Sequence, residues 1–374
     1  MKEKFKVTPW EVSGKVDYDK LIKEFGVSKI DESLLKRIEK HAGEHFMLKR
    51  NVFFAHRDLN WLLDEYEKGN KFFLYTGRAP SGPIHLGHLL PWIFTKWLQD
   101  KFGVELWFQF PDEEKVLIKN DITFEDTKRY LYENMLDVIA LGFDPKKTHF
   151  IIDTKHADIM YKEACKVAKK ITFSMVKASF GLNEQSNIGS IFYTSMQAVP
   201  AFLPSIIKGK KIPCLIPHAI DQDPHFRLTR DIMPKINQYK PASIQCSFLP
   251  PLSSADGKMS SSESQTSILT TDSPKEVEKK IKKYAFSGGK DTIDEHRKKG
   301  GNPDIDVSFQ YLRMFFELDD KKLKKIEDDY KSGKLLTSEL KEILIKKIND
   351  FLVEHQRKRE KAKKEIDKFI FKTK

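Results

Sequence analysis

The stretch Phe72 to Leu90, FFLYTGRAPSGPIHLGHLL, limits what the rest of the chain can become. An apolar run ends at Thr76 and Gly77, a loop of Pro, Gly and Ser follows, and an apolar helix begins near Leu86. This reads as strand, loop, helix. In a doubly wound parallel sheet such a turn opens onto the crevice at the carboxyl ends of the strands. The following helix points unpaired N–H groups and positive partial charge into that crevice. His85, Gly87 and His88 stand at the turn. Glycine lets the backbone approach a base or phosphate closely, and imidazole donates a hydrogen bond to phosphate oxygens whether neutral or charged. Taken alone, His-x-Gly-His is equally compatible with a helix start whose histidines meet no ligand.

From Lys71 onward strands and helices alternate: strand Phe72 to Thr76, helix Leu86 to Lys101, strand Val104 to Phe110, a helix near Phe124 to Leu141, strand His149 to Ile152. A parallel sheet is the expected outcome. Helices Tyr161 to Lys170 and Phe173 to Phe180 precede a Gly- and Pro-rich region, and Ile212 to Ile216 and Ser243 to Cys246 read as the second half of the sheet. Past Ser262 the chain becomes charged and helical. Thr337 is placed to cap a helix whose Leu340, Ile343, Leu344, Ile348, Phe351 and Leu352 form one apolar stripe. Before Asn70 the chain is mixed and polar, with a short hairpin expected over Val7 to Val16 around Ser13 and Gly14. Trp10 argues against a loose tail there, since a bulky aromatic is seldom left exposed.

A second loop, Asp256 to Ser262 (DGKMSSS), sets Lys258 on a Gly- and Ser-rich turn, where a compact cation on a long stem can reach polyphosphate. In isolation such a loop is an ordinary solvated linker. Composition narrows the setting. With 32% charged residues and no run of about 18 apolar ones, nothing is expected to span a bilayer. The opening MKEKFKVTPWEV lacks the apolar core of a secretory signal, so the cytoplasm is expected. Cys165, Cys214 and Cys246 are too widely spaced for a metal clip or redox pair and are expected to be small buried hydrophobes. Residues Thr271 to Lys374 hold 28 Lys+Arg against 21 Asp+Glu, so +7 of the net +12 falls there. That balance suits a polyanion such as RNA. The basic run Gln356 to Lys364, by contrast, reads first as solvated helix surface.

His-x-Gly-His and KMSSS at the two ends of one alternating segment together resemble the class I aminoacyl-tRNA synthetases. Finer likeness lies in TPWEV, YDKLIKEFG and FFAHRD before Asn70, LYTGR at Leu74 to Arg78, HLGHLLPWIFTKWLQD at His85 to Asp100, AIDQDPHFRLTRD at Ala219 to Asp231 and FSGGKDTIDEHRKKGGNPDIDVSFQYL at Phe286 to Leu312. Over nearly the whole chain these are similar to the tryptophanyl-tRNA synthetase family of eukaryotic and archaeal type. The resemblance implies an α/β fold: a doubly wound parallel-sheet (Rossmann-like) catalytic domain with a C-terminal all-helical domain. It divides the chain into an appendage at 1–70 whose hairpin covers ATP, a catalytic domain with a helical insertion at 71–268, and a helical anticodon-recognition domain at 269–374.

The same resemblance assigns roles. Tyr75 and Gln109 are implied to meet the indole N–H, and Glu114, Gln197 and Gln222 to hold the substrate ammonium. Elementary chemistry agrees with the first pair. An indole offers one donor and no acceptor, and a phenol oxygen and an amide oxygen can both accept. Thr76, Gly77, Arg78, His85, Gly87, His88, Lys115, Ile220, Asp221, Lys258, Met259, Ser260 and Ser261 are implied to line the ATP site, with Asp221 at the ribose hydroxyls. His85, His88 and Lys258 carry catalysis in this reading, with Mg²⁺ accompanying ATP and no metal held by protein ligands. Asp112 and Glu113 are expected to be solvated. Pro111 stands where members commonly have a hydroxyl residue. The implied reaction forms tryptophanyl-adenylate and passes tryptophan to tRNA(Trp), in a homodimer without membrane contact. Three other readings compete: the tyrosyl sister enzyme, a small-molecule nucleotidylyltransferase, which also uses His-x-Gly-His, and a non-catalytic RNA-binding module.

Overall fold

The computed structural model of the protein describes residues 6–7, 12–13, 17–260 and 263–373. Seven strands form one sheet: β3 (Ser28–Lys29), β4 (Phe53–Arg57), β5 (Phe73–Gly77), β6 (Leu106–Phe110), β7 (Thr148–Ile152), β8 (Cys214–Ala219) and β9 (Ala242–Cys246). Their order across the sheet is β3-β4-β9-β8-β5-β6-β7. The five strands from β9 to β7 are parallel. Both faces are covered, so β5 and β6 are apolar along almost their full length, as buried parallel strands must be. β5 and β8 are neighbours, and the chain leaves them toward opposite edges. This is the switch point of a doubly wound sheet, where the strand ends open a crevice.

Two strands that precede Asn70 complete the sheet. β4 pairs antiparallel with β9, and β3 with β4. A separate pair, β1 (Lys6–Val7) and β2 (Val12–Ser13), forms the expected hairpin, but Val7 faces Val12 across it. The chain therefore reverses before Val12, earlier than the Ser13–Gly14 turn read from the sequence. Trp10 and Gly14 lie outside the described residues.

Six helices frame the crevice and its flank: α1 (Leu86–Phe102), α2 (Glu114–Ile118), α3 (Phe124–Ala140), α4 (Ile188–Met196), α5 (Asp223–Ile232) and α6 (Thr337–Ala362). α3 starts on a reciprocal cap, with Thr123 Oγ1 accepting from the Asp126 N–H at 3.2 Å and Asp126 Oδ2 from the Thr123 N–H at 3.1 Å. Thr337 is not the cap of α6. The cap lies one residue earlier at Leu336, whose N–H is accepted by Glu339 at 2.6 Å, and Thr337, the first residue of the helix, instead bonds Tyr330. The apolar stripe of α6 packs on α3, and one continuous core joins Leu340, Leu344 and Ile348 to Leu131, Met135 and the sheet residues Phe108 and Phe150. The chain end returns to the outer edge of the sheet, where Phe150 donates to the Phe369 carbonyl at 2.7 Å and Phe371 to the Phe150 carbonyl at 3.0 Å. That strap covers the edge strand β7. Cys214 and Cys246 are buried in strands as expected, whereas Cys165 is exposed: it lies on the outer side of helix Ala157–Ala168. No described helix is long and apolar enough to cross a membrane.

Candidate active site

The crevice at the carboxyl ends of β5, β6 and β8 is lined by Tyr75, Thr76, Gly77 and Arg78 from β5, by His85, Gly87 and His88 from the start of α1, and by Gln109 from β6. Glu114 and Lys115 enter from the first turn of α2, Gln197 from the end of α4, Asp221 and Gln222 from the turn after β8, and Lys258 and Met259 from the late loop. Residues scattered over nearly two hundred positions thus meet in one place. Ile220 does not line it; its side chain is fully buried against Leu21 and Phe248. The carbonyl of Ser260 accepts from the Ser267 hydroxyl at 2.8 Å. Ser261 lies outside the described residues.

Two glycines allow the close approach. A Cβ at Gly77 would stand 2.7 Å from the Gln109 carbonyl oxygen, so β5 and β6 could not end side by side with an alanine there. A Cβ at Gly87 would meet His85 Nδ1 at 3.0 Å and Met259 Cβ at 3.4 Å. The helix start and the lysine loop are packed together at this point. The backbone joins them as well, through Leu86 N–H to the Ile268 carbonyl at 3.0 Å and Thr270 N–H to the Ile84 carbonyl at 3.0 Å.

The two imidazoles stack with ring centroids 3.6 Å apart. Burial, reinforced by the Arg78 and Lys258 cations, holds both well below the usual histidine range, so both are neutral at physiological pH. His88 Nδ1 accepts from the His85 N–H at 3.2 Å. In a neutral ring the proton is then on Nε2, which is left as a donor. His85 Nδ1 and Arg78 Nε are buried without a partner. Lys258 is ion-paired to Asp221, a fully buried carboxylate that also accepts from Gln222 Nε2 at 3.1 Å and whose other oxygen has no partner. On this side of the crevice, cations and neutral donors thus face a space whose carboxylate, Asp221, is paired. That arrangement suits a polyphosphate with ribose at its side.

A chain of hydrogen bonds runs along the opposite wall. Glu114 Oε2 accepts from the Tyr193 hydroxyl at 3.0 Å, and Tyr193 is bonded to Gln197 Oε1. Gln197 Nε2 donates to the Tyr75 oxygen at 3.0 Å, Tyr75 donates to Gln109 Oε1 at 2.6 Å, and Gln109 Nε2 donates to Asp153 Oδ2 at 2.7 Å. Burial opposes ionisation of Glu114, but the neighbouring Lys115 overcomes it and holds the carboxyl below its ordinary range. One end of this wall is a fixed negative charge and the other an amide oxygen beside a phenol. Edge-on to Tyr75 stands the Phe226 ring, 5.9 Å away. The shape suits an amino acid with a flat side chain that donates one hydrogen bond.

Sequence reasoning missed Tyr193 and Asp153, whose partners lie far away in the chain. It also placed Asp112 and Glu113 in solvent, and the structure corrects this. Asp112 is buried, accepting the Thr154 N–H at 3.1 Å, and the Glu113 carboxylate oxygens are shielded from water without a partner. Both face the ends of β6 and β7 instead of the surface. Arg57 explains why FFAHRD and AIDQDP occur together. Its guanidinium grips Asp223 with bonds of 2.9 and 2.8 Å, tying β4 to the start of α5.

Crevice, paired signature loops and strand order define a class I aminoacyl-tRNA synthetase catalytic centre. Residues 67–353 match the family described as tRNA synthetases class I (W and Y). A tryptophan–tRNA ligase of Sulfurisphaera tokodaii is 56% identical over 99% of this chain and 96% of its own. A parasite tRNA synthetase solved with product bound is 43% identical, with a TM-score of 0.92 over 95% of this chain and 96% of that one. The Plasmodium falciparum tryptophanyl-tRNA synthetase is 42% identical, with a TM-score of 0.89 over 95% and 98%. The chain belongs to the tryptophanyl-tRNA synthetases of archaeal and eukaryotic type.

Proposed function

We infer that the protein is a tryptophan–tRNA ligase, which activates L-tryptophan with ATP to tryptophanyl-adenylate and transfers it to tRNA(Trp). The observation that carries the residue assignments is the hydrogen-bonded wall from Glu114 to Gln109, which faces the cations of the signature loops across one crevice. Tryptophan is seated with its ammonium at Glu114, Gln197 and Gln222 and its indole N–H toward Tyr75 and Gln109. ATP occupies the side lined by Arg78, His85, His88, Lys115 and Lys258, its ribose against Asp221.

In this seating the tryptophan carboxylate attacks the α-phosphorus and pyrophosphate leaves, with no covalent bond to the enzyme. The work of the chain is placement and charge stabilisation. His88 donates from Nε2 to an α-phosphate oxygen as it gains charge, His85 stands stacked against it, and Lys258 exchanges its Asp221 partner for the departing pyrophosphate. No group of three or more His, Cys, Asp or Glu among the described residues is placed to hold a metal. Mg²⁺ is proposed as a companion of the ATP phosphates, where it would supply charge neutralisation. The second step carries the acyl group to the terminal 2′-hydroxyl of the tRNA.

The remaining assignments complete the proposal: residues 1–70 as an appendage whose hairpin covers ATP, 71–268 as the catalytic part, 269–374 as the part that reads the anticodon, a homodimer, and a cytoplasmic setting. Charging of tRNA(Trp) ending in 2′-deoxy- or 3′-deoxyadenosine, with labelled tryptophan and labelled tyrosine, tests the reading. Tryptophan charged onto the 3′-deoxy but not the 2′-deoxy acceptor is the expected result. Charging with tyrosine instead would overturn it.

A further inference from the structure

We propose that Asp153 is the positioning residue for tryptophan selectivity: its carboxyl group fixes which end of the Gln109 carboxamide faces the indole pocket. This rests on the reading that Gln109 meets the indole N–H.

A carboxamide has two ends of nearly the same shape and opposite hydrogen-bonding character. Only the oxygen suits an indole N–H; the flipped amide would turn its own N–H₂ group against it. Gln109 is 1% exposed, so no water corrects a wrong orientation. Its neighbour Tyr75 cannot choose, because a rotating hydroxyl donates or accepts as required. Asp153 can. It is 1% exposed, sits where β7 ends, and is held there by its N–H on the Phe110 carbonyl at 3.3 Å. Oδ2 takes the Gln109 Nε2 proton at 2.7 Å, which turns Oε1 toward Tyr75 and the pocket.

A second observation shows why the anchor accepts and does not donate. Asp153 Oδ1 and both Glu113 carboxylate oxygens are buried without a hydrogen-bond partner. Three buried acceptors side by side require a proton between them, and one proton shared by the two carboxyls supplies it. Burial raises both groups; repulsion from Glu113 adds to it at Asp153, which is held well above its ordinary range, and repulsion from Asp112 adds to it at Glu113. With the proton on Oδ1 facing Glu113, Oδ2 remains an acceptor for Gln109. Glu113 thereby keeps the acidic proton away from the amide, and the amide orientation is the same in either charge state of the pair.

The test is ATP–pyrophosphate exchange with tryptophan and with its benzothiophene analogue, in which sulfur replaces the indole N–H, in the wild-type protein and in Asp153→Leu, Asp153→Asn and Gln109→Ala. Loss of one oriented hydrogen bond is expected to lower the kcat/KM preference of Asp153→Leu for tryptophan over the analogue by about tenfold, through KM for tryptophan, with KM for ATP unchanged. Asp153→Asn keeps the preference, because its amide oxygen accepts from Gln109 while its N–H₂ group meets Glu113. Equal losses for tryptophan and the analogue in Asp153→Leu would make Asp153 merely structural and overturn the proposal. Should that variant fail to fold, the double variant Asp153→Asn, Glu113→Leu decides. Its asparagine is free to flip, so the preference is expected to fall; an unchanged preference overturns the proposal. Gln109→Ala separates the underlying reading. If it leaves the preference intact, Gln109 is not at the indole. If it abolishes the preference while the Asp153 variants do not, only the role of Asp153 fails.

Discussion

Where α6 packs on α3, buried charges are paired: His355 Nε2 lies 2.8 Å from Asp137 Oδ1, and Arg359 joins the other oxygen of Asp137 to Glu133. In the crevice, similarly buried groups are left incomplete. Arg78 Nε, His85 Nδ1, His218 Nε2 and Asp221 Oδ1 have no partner. Each such buried atom costs about 1–3 kcal/mol. The junction's charged side chains are fully paired, although the amide oxygens of Asn134 on α3 and Asn349 on α6 have no partner. In the proposed seating, the bonds left open in the crevice are those its ligands would complete. Burial alone therefore does not separate structural from functional polar residues in this protein; the two regions differ in whether their charged side chains are fully paired.

The sharpest way to break the comparison is to remove the cation that the late loop brings to the crevice. Lys258→Ala should lower the rate of ATP–pyrophosphate exchange by about 10²–10³-fold while tryptophan binding, measured by calorimetry, stays nearly unchanged. Equal damage to both would make Lys258 a packing residue. At the junction the effect should appear in stability and not in rate. Arg359→Met leaves Asp137 with only His355 and should cost about 3 kcal/mol in urea unfolding, with kcat/KM of the folded protein little altered. A large kinetic loss there would mean that the junction serves the crevice directly.

Smaller effects sharpen the contrast within the crevice. Glu114→Gln keeps the shape of the wall but removes the charge that the proposal sets against the substrate ammonium. About tenfold in the KM for tryptophan is expected, with the KM for ATP less affected. Glu113 gives a pH signature. Burial raises its carboxyl from the ordinary 4.5 to about 7, so the folded state holds a proton that the unfolded state has lost. Its contribution is favourable below about 4.5 and is lost as pH rises to about 7, so stability falls across that window. Glu113→Gln should make the fall shallower in thermal unfolding between these limits; an unchanged slope would remove Glu113 from the buried pair.

What the sequence displays is what short stretches encode. The β5–α1 unit and the ends of β6 and α3 follow from local periodicity and turn residues, β5 and α1 falling within a residue of where the pattern puts them, while the meeting of His-x-Gly-His with KMSSS comes from the family resemblance. Pairing between distant segments is not written locally. Nothing in Ser28–Lys29 or Phe53–Arg57 announces that they extend the sheet antiparallel through β9. Asp153 is separated by 44 residues from the Gln109 amide that donates to it, and Tyr193 by 79 from Glu114, so neither could be recognised by spacing. Asp112 and Glu113 misled because acidic residues after a strand normally face water; here the end of β7 closes over them. Thr337 misled by one position, since Glu339 supplies the cap from inside the helix.

The most direct measurement is ATP–pyrophosphate exchange without tRNA, run with tryptophan and with tyrosine separately. Exchange with tryptophan alone is the predicted result, because a wall ending in the paired Tyr75 and Gln109 offers acceptors to one indole donor. Exchange with tyrosine instead would contradict the account at its centre, removing Gln109 and its anchor from selectivity and leaving the open bonds of the crevice to be explained by a different ligand.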